Sequence, residues 1–211
     1  MEAGEETEEK GIVHVVDDDF SVRRGIERLL RSAGHRAVCH ESALEFLEKG
    51  VEDGPVCLIL DVRLPGLNGL DLQRELLTRG RELSIVFITG HGDVPMSVEA
   101  MKAGAVDFLP KPFNDEALLD AVKRGIRQDA KRKARQFIVG EIRLRLERLT
   151  SREREVLDLV VTGMLNKQVG AELGIAEKTV KVHRSRVMEK MEVQSLAELV
   201  RITEYFRASG S

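Results

Sequence analysis

The sequence is poor in cysteine, with two in 211 residues, so a fold stapled by disulfides is excluded. It also lacks a long apolar run: the longest, Val56 to Leu60, is five residues, against the roughly 18 to 20 that a membrane span requires. No charged-then-apolar leader opens the chain, and a cytoplasmic, non-membrane protein is expected. Cys39 and Cys57 each sit in an apolar stretch without metal-ligand spacing and read as small core residues. No sign of charge dominates, at 33 Lys and Arg against 36 Asp and Glu. With 42% hydrophobic residues, the chain is long enough for one large or two small cores.

The near-neutral total hides an asymmetry. Residues 1–127 hold 16 Lys and Arg against 24 Asp and Glu, whereas residues 128–211 hold 17 against 12. An acidic half and a basic half imply different partners. Residues 1–10, with five Glu and one Lys, read as a disordered acidic tail.

Beyond the tail, short segments at Ile12–Val16, Arg36–His40, Cys57–Leu60, Ser84–Ile88 and Ala105–Phe108 read as strands, the second carrying the weakest pattern. Helical spacing separates them, as in Val22, Ile26, Leu29, Leu30 and Ala33, or Val98 and Met101 before Ala103-Gly104. Alternation of this kind predicts an α/β unit over 11–127: a five-stranded, doubly wound parallel sheet with helices on both faces. From Asn114 to Thr150 there is no proline, and a last domain helix is expected to run into a helical linker at 128–147, continuous or broken near Gly140. Its stripe Ile138, Ile142, Leu146 and Leu149 suits either packing on its own domain or a dimer seam.

Residues 148–208 predict an all-α domain of four helices. Thr150 and Ser151 offer an N-cap, Gly163 closes the first helix, and Gly174 makes a tight turn between a helix at Lys167–Leu173 and one ending near Met191. A fourth helix starts at Ser195. The third carries five Lys and Arg against two acids over 176–191, with Val180, Val187 and Met191 on one face. Lys178, Thr179, Lys181, His183, Arg184 and Arg186 occupy much of the rest, a pattern suited to phosphates and base edges in a major groove.

Ligands of a parallel sheet bind at the carboxyl ends of its strands. Asp17, Asp18 and Asp19 follow the first strand and Asp61 follows the third. Crowded carboxylates of this kind suit a hard divalent cation, Mg²⁺. Asp19 and Asp71 read better as helix caps or turn formers. Thr89 ends the fourth strand, and Lys111, between Pro110 and Pro112, follows the fifth. If Asp61 is a nucleophile toward a phosphoryl donor, a metal, a cation and a hydroxyl are at hand for the added oxygens. The Lys111-Pro112 peptide is open to either isomer.

Val15-Val16-Asp17-Asp18-Asp19, Leu60-Asp61-Val62-Arg63-Leu64-Pro65-Gly66, Ile88-Thr89-Gly90-His91-Gly92 and Phe108-Leu109-Pro110-Lys111-Pro112-Phe113 together resemble the signature of response-regulator receiver domains, the last two most like the FixJ subgroup. The resemblance implies that Asp61 takes a phosphoryl group from a sensor histidine kinase. It implies a Mg²⁺ (or Mn²⁺) site of Asp17, Asp18, Asp61 and the Arg63 backbone carbonyl, a grip by Thr89 and Lys111, and a switch at Phe108. Phosphorylation would draw Thr89 inward and let Phe108 fill the space it leaves, repacking residues 90–113. His91 beside that surface reads as an exposed loop histidine. Leu149 to Ile202, with Leu149-Thr150-Ser151-Arg152-Glu153-Arg154-Glu155 and Glu177-Lys178-Thr179-Val180-Lys181-Val182-His183-Arg184, resembles the LuxR/GerE-type helix-turn-helix domain. That resemblance implies promoter DNA as ligand, with Asn166, Lys167 and Val182 joining the basic contacts, RNA polymerase as a further partner, and a homodimer when phosphorylated. Gly170 stands where the family's pattern has Ala, which implies a slightly loosened supporting helix.

Two other readings compete. Asp17-x-Asp19 after a strand also suits a phosphatase of the haloacid-dehalogenase type with Asp17 as nucleophile, although Phe20 stands where that motif has Gly. Alternatively, the helical end binds protein instead of DNA. The chain is otherwise expected to be no turnover enzyme.

Overall fold

The computed structural model describes residues 11–90 and 94–210. The acidic tail and His91 lie outside them. Compactness divides the chain into two units, one ending at Lys133 and the next beginning at Ala134.

The first unit alternates β1 (Ile12–Val16), α1 (Phe20–Ser32), β2 (Arg36–His40), α2 (Ala43–Lys49), β3 (Val56–Asp61), α3 (Gly69–Thr78), β4 (Ser84–Thr89), α4 (Val94–Lys102) and β5 (Asp107–Pro110). The strands form one parallel sheet in the order β2-β1-β3-β4-β5. The order reverses between β1 and β3, which opens a crevice at their carboxyl ends. β3 and β4 are buried throughout, as strands covered on both faces must be. Alternate side chains serve two cores. Val13, Val15, Cys57 and Ile59 pack with Ile26 and Leu30 of α1 and Leu118 and Val122 of the helix after β5. Val16, Leu58, Leu60 and Phe87 pack with Phe46 of α2 and Leu72 and Leu76 of α3. Cys57 is the buried core thiol expected, its pKa pushed up to about 12 by burial.

One sequence expectation shifts here. The fifth strand begins at Asp107 instead of Ala105, because the Ala105 N–H is taken by the Ala100 carbonyl at the end of α4. Of the apolar residues of α4, only Ala100 is buried, while Val94, Val98 and Met101 are exposed. The end of α4 is tied to α3 by the Gln73 amide, which donates to Ala103 O at 3.2 Å, and by the Arg74–Glu99 ion pair.

A single helix, α5 (Asp115–Glu147), continues unbroken through Gly140. Fully buried Asp129 accepts from Val56 N at 2.8 Å and pairs with Arg132, fixing this stretch to the start of β3. Farther along, Ile142, Leu146 and Leu149 enter the core of the second unit, so most of the stripe packs on its own domain; Ile138 remains exposed.

The second unit adds α6 (Ser151–Val160), α7 (Asn166–Leu173), α8 (Glu177–Lys190) and α9 (Leu196–Ala208). Thr150 and Glu153 cap α6 reciprocally. Buried Glu153 also accepts from Lys190 Nζ at 2.6 Å, and that bond, with the Thr150 N–H, holds its carboxyl down at about 2. Val156, Val169, Val180, Val187 and Met191 fill the centre. Gly174 adopts a left-handed conformation and turns α7 into α8.

Candidate functional site

The crevice between β1 and β3 gathers the acidic residues. Asp17 follows the last residue of β1, and Asp61 ends β3 opposite Ile88 in the β3–β4 register. Oxygens of Asp17, Asp18 and Asp61 all lie within 4.8 Å of one another. Asp17 has no exposed surface, Asp61 is almost fully buried and Asp18 is exposed. Lys111 reaches in from the end of β5, its ammonium donating at 2.6 Å to Asp17 Oδ2 and at 2.6 Å to Asp61 Oδ2. The two carboxylates thus share one cation across strands far apart in sequence.

Local chemistry fixes each group. Asp17 Oδ1 accepts from Asp19 N at 2.9 Å, and Asp61 Oδ1 from Arg63 N at 3.0 Å. Asp19 is the helix cap expected of it, accepting from Ser21 N and Val22 N at the start of α1. Asp71 is bound to Asn68, the cap of α3. The Lys111–Pro112 peptide is cis, and Lys111 N donates to Thr89 O at 2.7 Å. Buried Thr89 therefore stands beside the lysine, one residue beyond the partner of Asp61. Phe108, half-buried, packs against Phe87 with ring centroids 6.1 Å apart.

Electrostatically, burial pushes the Asp17 carboxyl above its ordinary value despite the Lys111 bond. For Lys111, burial works downward, but the hydrogen bonds and charges of Asp17 and Asp61 outweigh it and hold the ammonium protonated. The donor set is all carboxylate, with Asp18 facing solvent beside a cavity of about 400 Å³ that Arg63, Pro65, Asn68 and Met96 also line. A hard divalent cation that takes a few carboxylate oxygens and keeps its remaining waters fits this arrangement.

Two contributors escaped the sequence reading. Gly69, the first residue of α3, lies so close to Asp61 that a Cβ there would sit 2.3 Å from the Asp61 carbonyl oxygen. Only glycine lets α3 start directly beneath Asp61. Arg23, one turn into α1, reaches back to donate to Asp17 O at 2.7 Å. A glycine after a cap residue and an arginine in an amphipathic helix carry no local signal of either role.

The other candidate surface lies on α8. Lys178, Thr179, Lys181, Val182 and Arg186 are exposed, on the side away from buried Val180 and Val187. His183 and Arg184 are half-buried, and Arg184 donates to Asn166 Oδ1 at 3.1 Å, tying α8 to the start of α7, where Lys167 is exposed. At Gly170 a Cβ would meet Ile175 O at 2.7 Å, so its absence lets α7 close on the turn.

Nucleophilic use of Asp17, the phosphatase reading, suits this geometry poorly, since that side chain has no exposed surface. Among the described residues, no helix is long and apolar enough to cross a membrane. Residues 13–123 match the response regulator receiver domain, and residues 147–203 match the luxR family of bacterial regulatory proteins. The chain is 52% identical over 206 residues to nodulation protein W of Bradyrhizobium diazoefficiens, covering 98% of this chain and 91% of that one. It is 45% identical over 190 residues to the transcriptional regulatory protein FixJ of Azorhizobium caulinodans, covering 90% of each. Among solved structures it resembles the response regulator StyR at a TM-score of 0.83 and 49% identity, over 92% of this chain and 98% of that one. With a receiver domain ahead of a LuxR-type DNA-binding domain, the chain belongs to the response regulators of two-component systems that control transcription.

Proposed function

We propose that Asp61 is the phosphoacceptor of this regulator and that its modification governs how the helix-turn-helix domain engages promoter DNA. A receiver domain implies a sensor kinase as partner, and a LuxR-type domain implies DNA. In the transfer, an Asp61 carboxylate oxygen attacks the phosphorus of a phosphohistidine. The phosphorus–nitrogen bond breaks with its electron pair going to the imidazole, and an acyl phosphate forms. Asp61 suits this role better than Asp17 because it keeps some exposed surface. Asp17, Asp18, Asp61 and the Arg63 carbonyl would hold Mg²⁺ or Mn²⁺, which would supply charge neutralisation for the phosphoryl oxygens. Lys111 contributes a fixed positive charge, and Thr89 a hydroxyl for a phosphoryl oxygen. Phe108, packed on Phe87, then responds to movement of Thr89. This local event biases the α4–β5 surface between two arrangements. On that face Val94, Val98 and Met101 are exposed apolar residues suited to pairing with a second phosphorylated copy.

The division of labour is a receiver that runs on to Lys133, with Asp129 tied to β3, and a DNA-binding domain whose core takes in Ile142 and Leu146 from the end of α5. Lys167, Lys178, Lys181 and Arg186 supply phosphate contacts and Thr179 and Val182 face the bases, with half-buried His183 and Arg184, the latter braced by Asn166, at the edge of that surface and RNA polymerase as a further partner on promoter DNA. The single observation that carries this reading is the Lys111 ammonium, equidistant from Asp17 and Asp61 at the switch point of the sheet. Incubation with acetyl phosphate and Mg²⁺ followed by intact-mass measurement tests it. The native chain gains one phosphoryl group and Asp61→Asn none; a variant that is still modified to the same extent overturns the assignment. DNase protection by the native chain and by Lys178→Ala/Lys181→Ala separates DNA contact from a protein-binding role for α8.

A further inference from the structure

We infer that Arg23 is a positioning residue for the acidic pocket: its guanidinium fixes the Asp17–Asp18 peptide and thereby sets the directions of the two neighbouring carboxylates. This rests on the reading of the pocket as a divalent-cation site. Asp17 lies past the end of β1, where its carbonyl has no strand partner. The Arg23 Nη1 donor, at 2.7 Å, satisfies it. The rest of the residue is equally constrained: its N–H donates to His40 O at 3.3 Å, Oδ1 accepts from Asp19 N and Oδ2 accepts from Lys111. Arg23 is thus one of four restraints on Asp17, and the only one of them that acts on the carbonyl shared with the peptide leading to Asp18. The guanidinium is itself oriented, lying 5.8 Å from the centroid of the exposed Phe20 ring, with Arg24 at 5.6 Å. An aromatic face of that kind holds a cation in place without neutralising it.

Positioning and simple electrostatics make opposite predictions. Arg23 is positive, so by Coulomb's law alone its removal makes the pocket more attractive to a cation. If its role is to hold the peptide, removal frees Asp17 and Asp18 to turn and weakens cation binding. One lost hydrogen bond of this type corresponds to a weakening of about three- to tenfold.

The test is calorimetric titration of the full chain with Mg²⁺, comparing the native protein, Arg23→Ala and Arg23→Lys, with thermal unfolding of each and hydrogen exchange at the Asp19 amide without metal. Arg23→Ala is expected to bind Mg²⁺ about three- to tenfold more weakly and to exchange the Asp19 amide faster, and Arg23→Lys, which keeps a donor, recovers most of the affinity. Equal or tighter Mg²⁺ binding by Arg23→Ala overturns the proposal while leaving the pocket intact. So does a fall in melting temperature with unchanged affinity. A native chain that takes up no Mg²⁺ overturns the cation site and the role of Arg23 together.

Discussion

Lowering the pH from 7 to 5 should destabilise the receiver unit through one buried imidazole. His14 lies at the centre of β1, its Nδ1 2.9 Å from Nε2 of His40, with the two rings stacked and both edge-on to Phe46. Burial chiefly, with His40 and Arg36 adding to it against Glu52, lowers the His14 pKa from 6.5 to about 4. Burial also lowers His40, with Lys49 in the same direction and Glu45 opposing. Because the folded value lies below the unfolded one, the unfolded chain binds more protons between the two. The contribution of His14 is therefore fully present above pH 6.5 and is lost as the pH falls toward 4. At pH 5 the unfolded imidazole is almost wholly charged and the folded one about one-tenth charged, so linkage removes about 2 kcal/mol relative to pH 7. His14→Phe keeps an aromatic ring against Phe46 and abolishes the titration. Hydrogen exchange of the β1 and β3 amides, corrected for intrinsic rates, reads the opening of this unit in the full chain. The stability difference between native and variant should shift toward the variant by about 2 kcal/mol between pH 7 and 5. Parallel losses in the two proteins, or an NMR titration placing His14 near 6.5, would refute the reasoning.

Two further substitutions probe the close approaches. Gly69→Ala forces a Cβ onto the Asp61 carbonyl and should cost about 2 kcal/mol or more in denaturant unfolding while slowing modification by acetyl phosphate; an unchanged rate would separate Gly69 from the pocket. Gly170→Ala gains about 1 kcal/mol of helix propensity but drives a Cβ against Ile175 O, and overpacking against backbone should leave the DNA-binding unit about 1 kcal/mol less stable on balance. A more stable variant would show that the turn yields freely.

The parts of the fold that were legible in advance are those where one local pattern suffices. β3 and β4 announce themselves because a strand covered on both faces is apolar through its middle, as in Val56-Cys57-Leu58-Ile59-Leu60 and Ile85-Val86-Phe87-Ile88. β2 is weak in sequence because it is an edge strand with mostly half-buried residues. The displacement of β5 follows from competition for one N–H: Ala105 completes the end of α4 before it can join the sheet. In α4 the residues that share helical spacing, Val98 and Met101, are exposed. Apolar periodicity registers which residues share a side, not whether a neighbouring element covers that side.

The acidic pocket divides in the same way. Carboxylates at the ends of two strands and a lysine held between prolines were readable because strand ends of a parallel sheet converge by topology alone. The sequence by itself determined the two-unit plan, the order of elements and the charged side chains that gather at each surface, since these depend on periodicity, caps and residue type over short spans. Only the tertiary structure decided that Lys111 bridges Asp17 and Asp61, that Arg23 holds the Asp17 carbonyl, that Gly69 admits α3 beneath Asp61, and that Ile142 and Leu149 are core residues. Each is a contact between groups whose placement is fixed by packing of whole elements, to within a fraction of an ångström that no local pattern encodes.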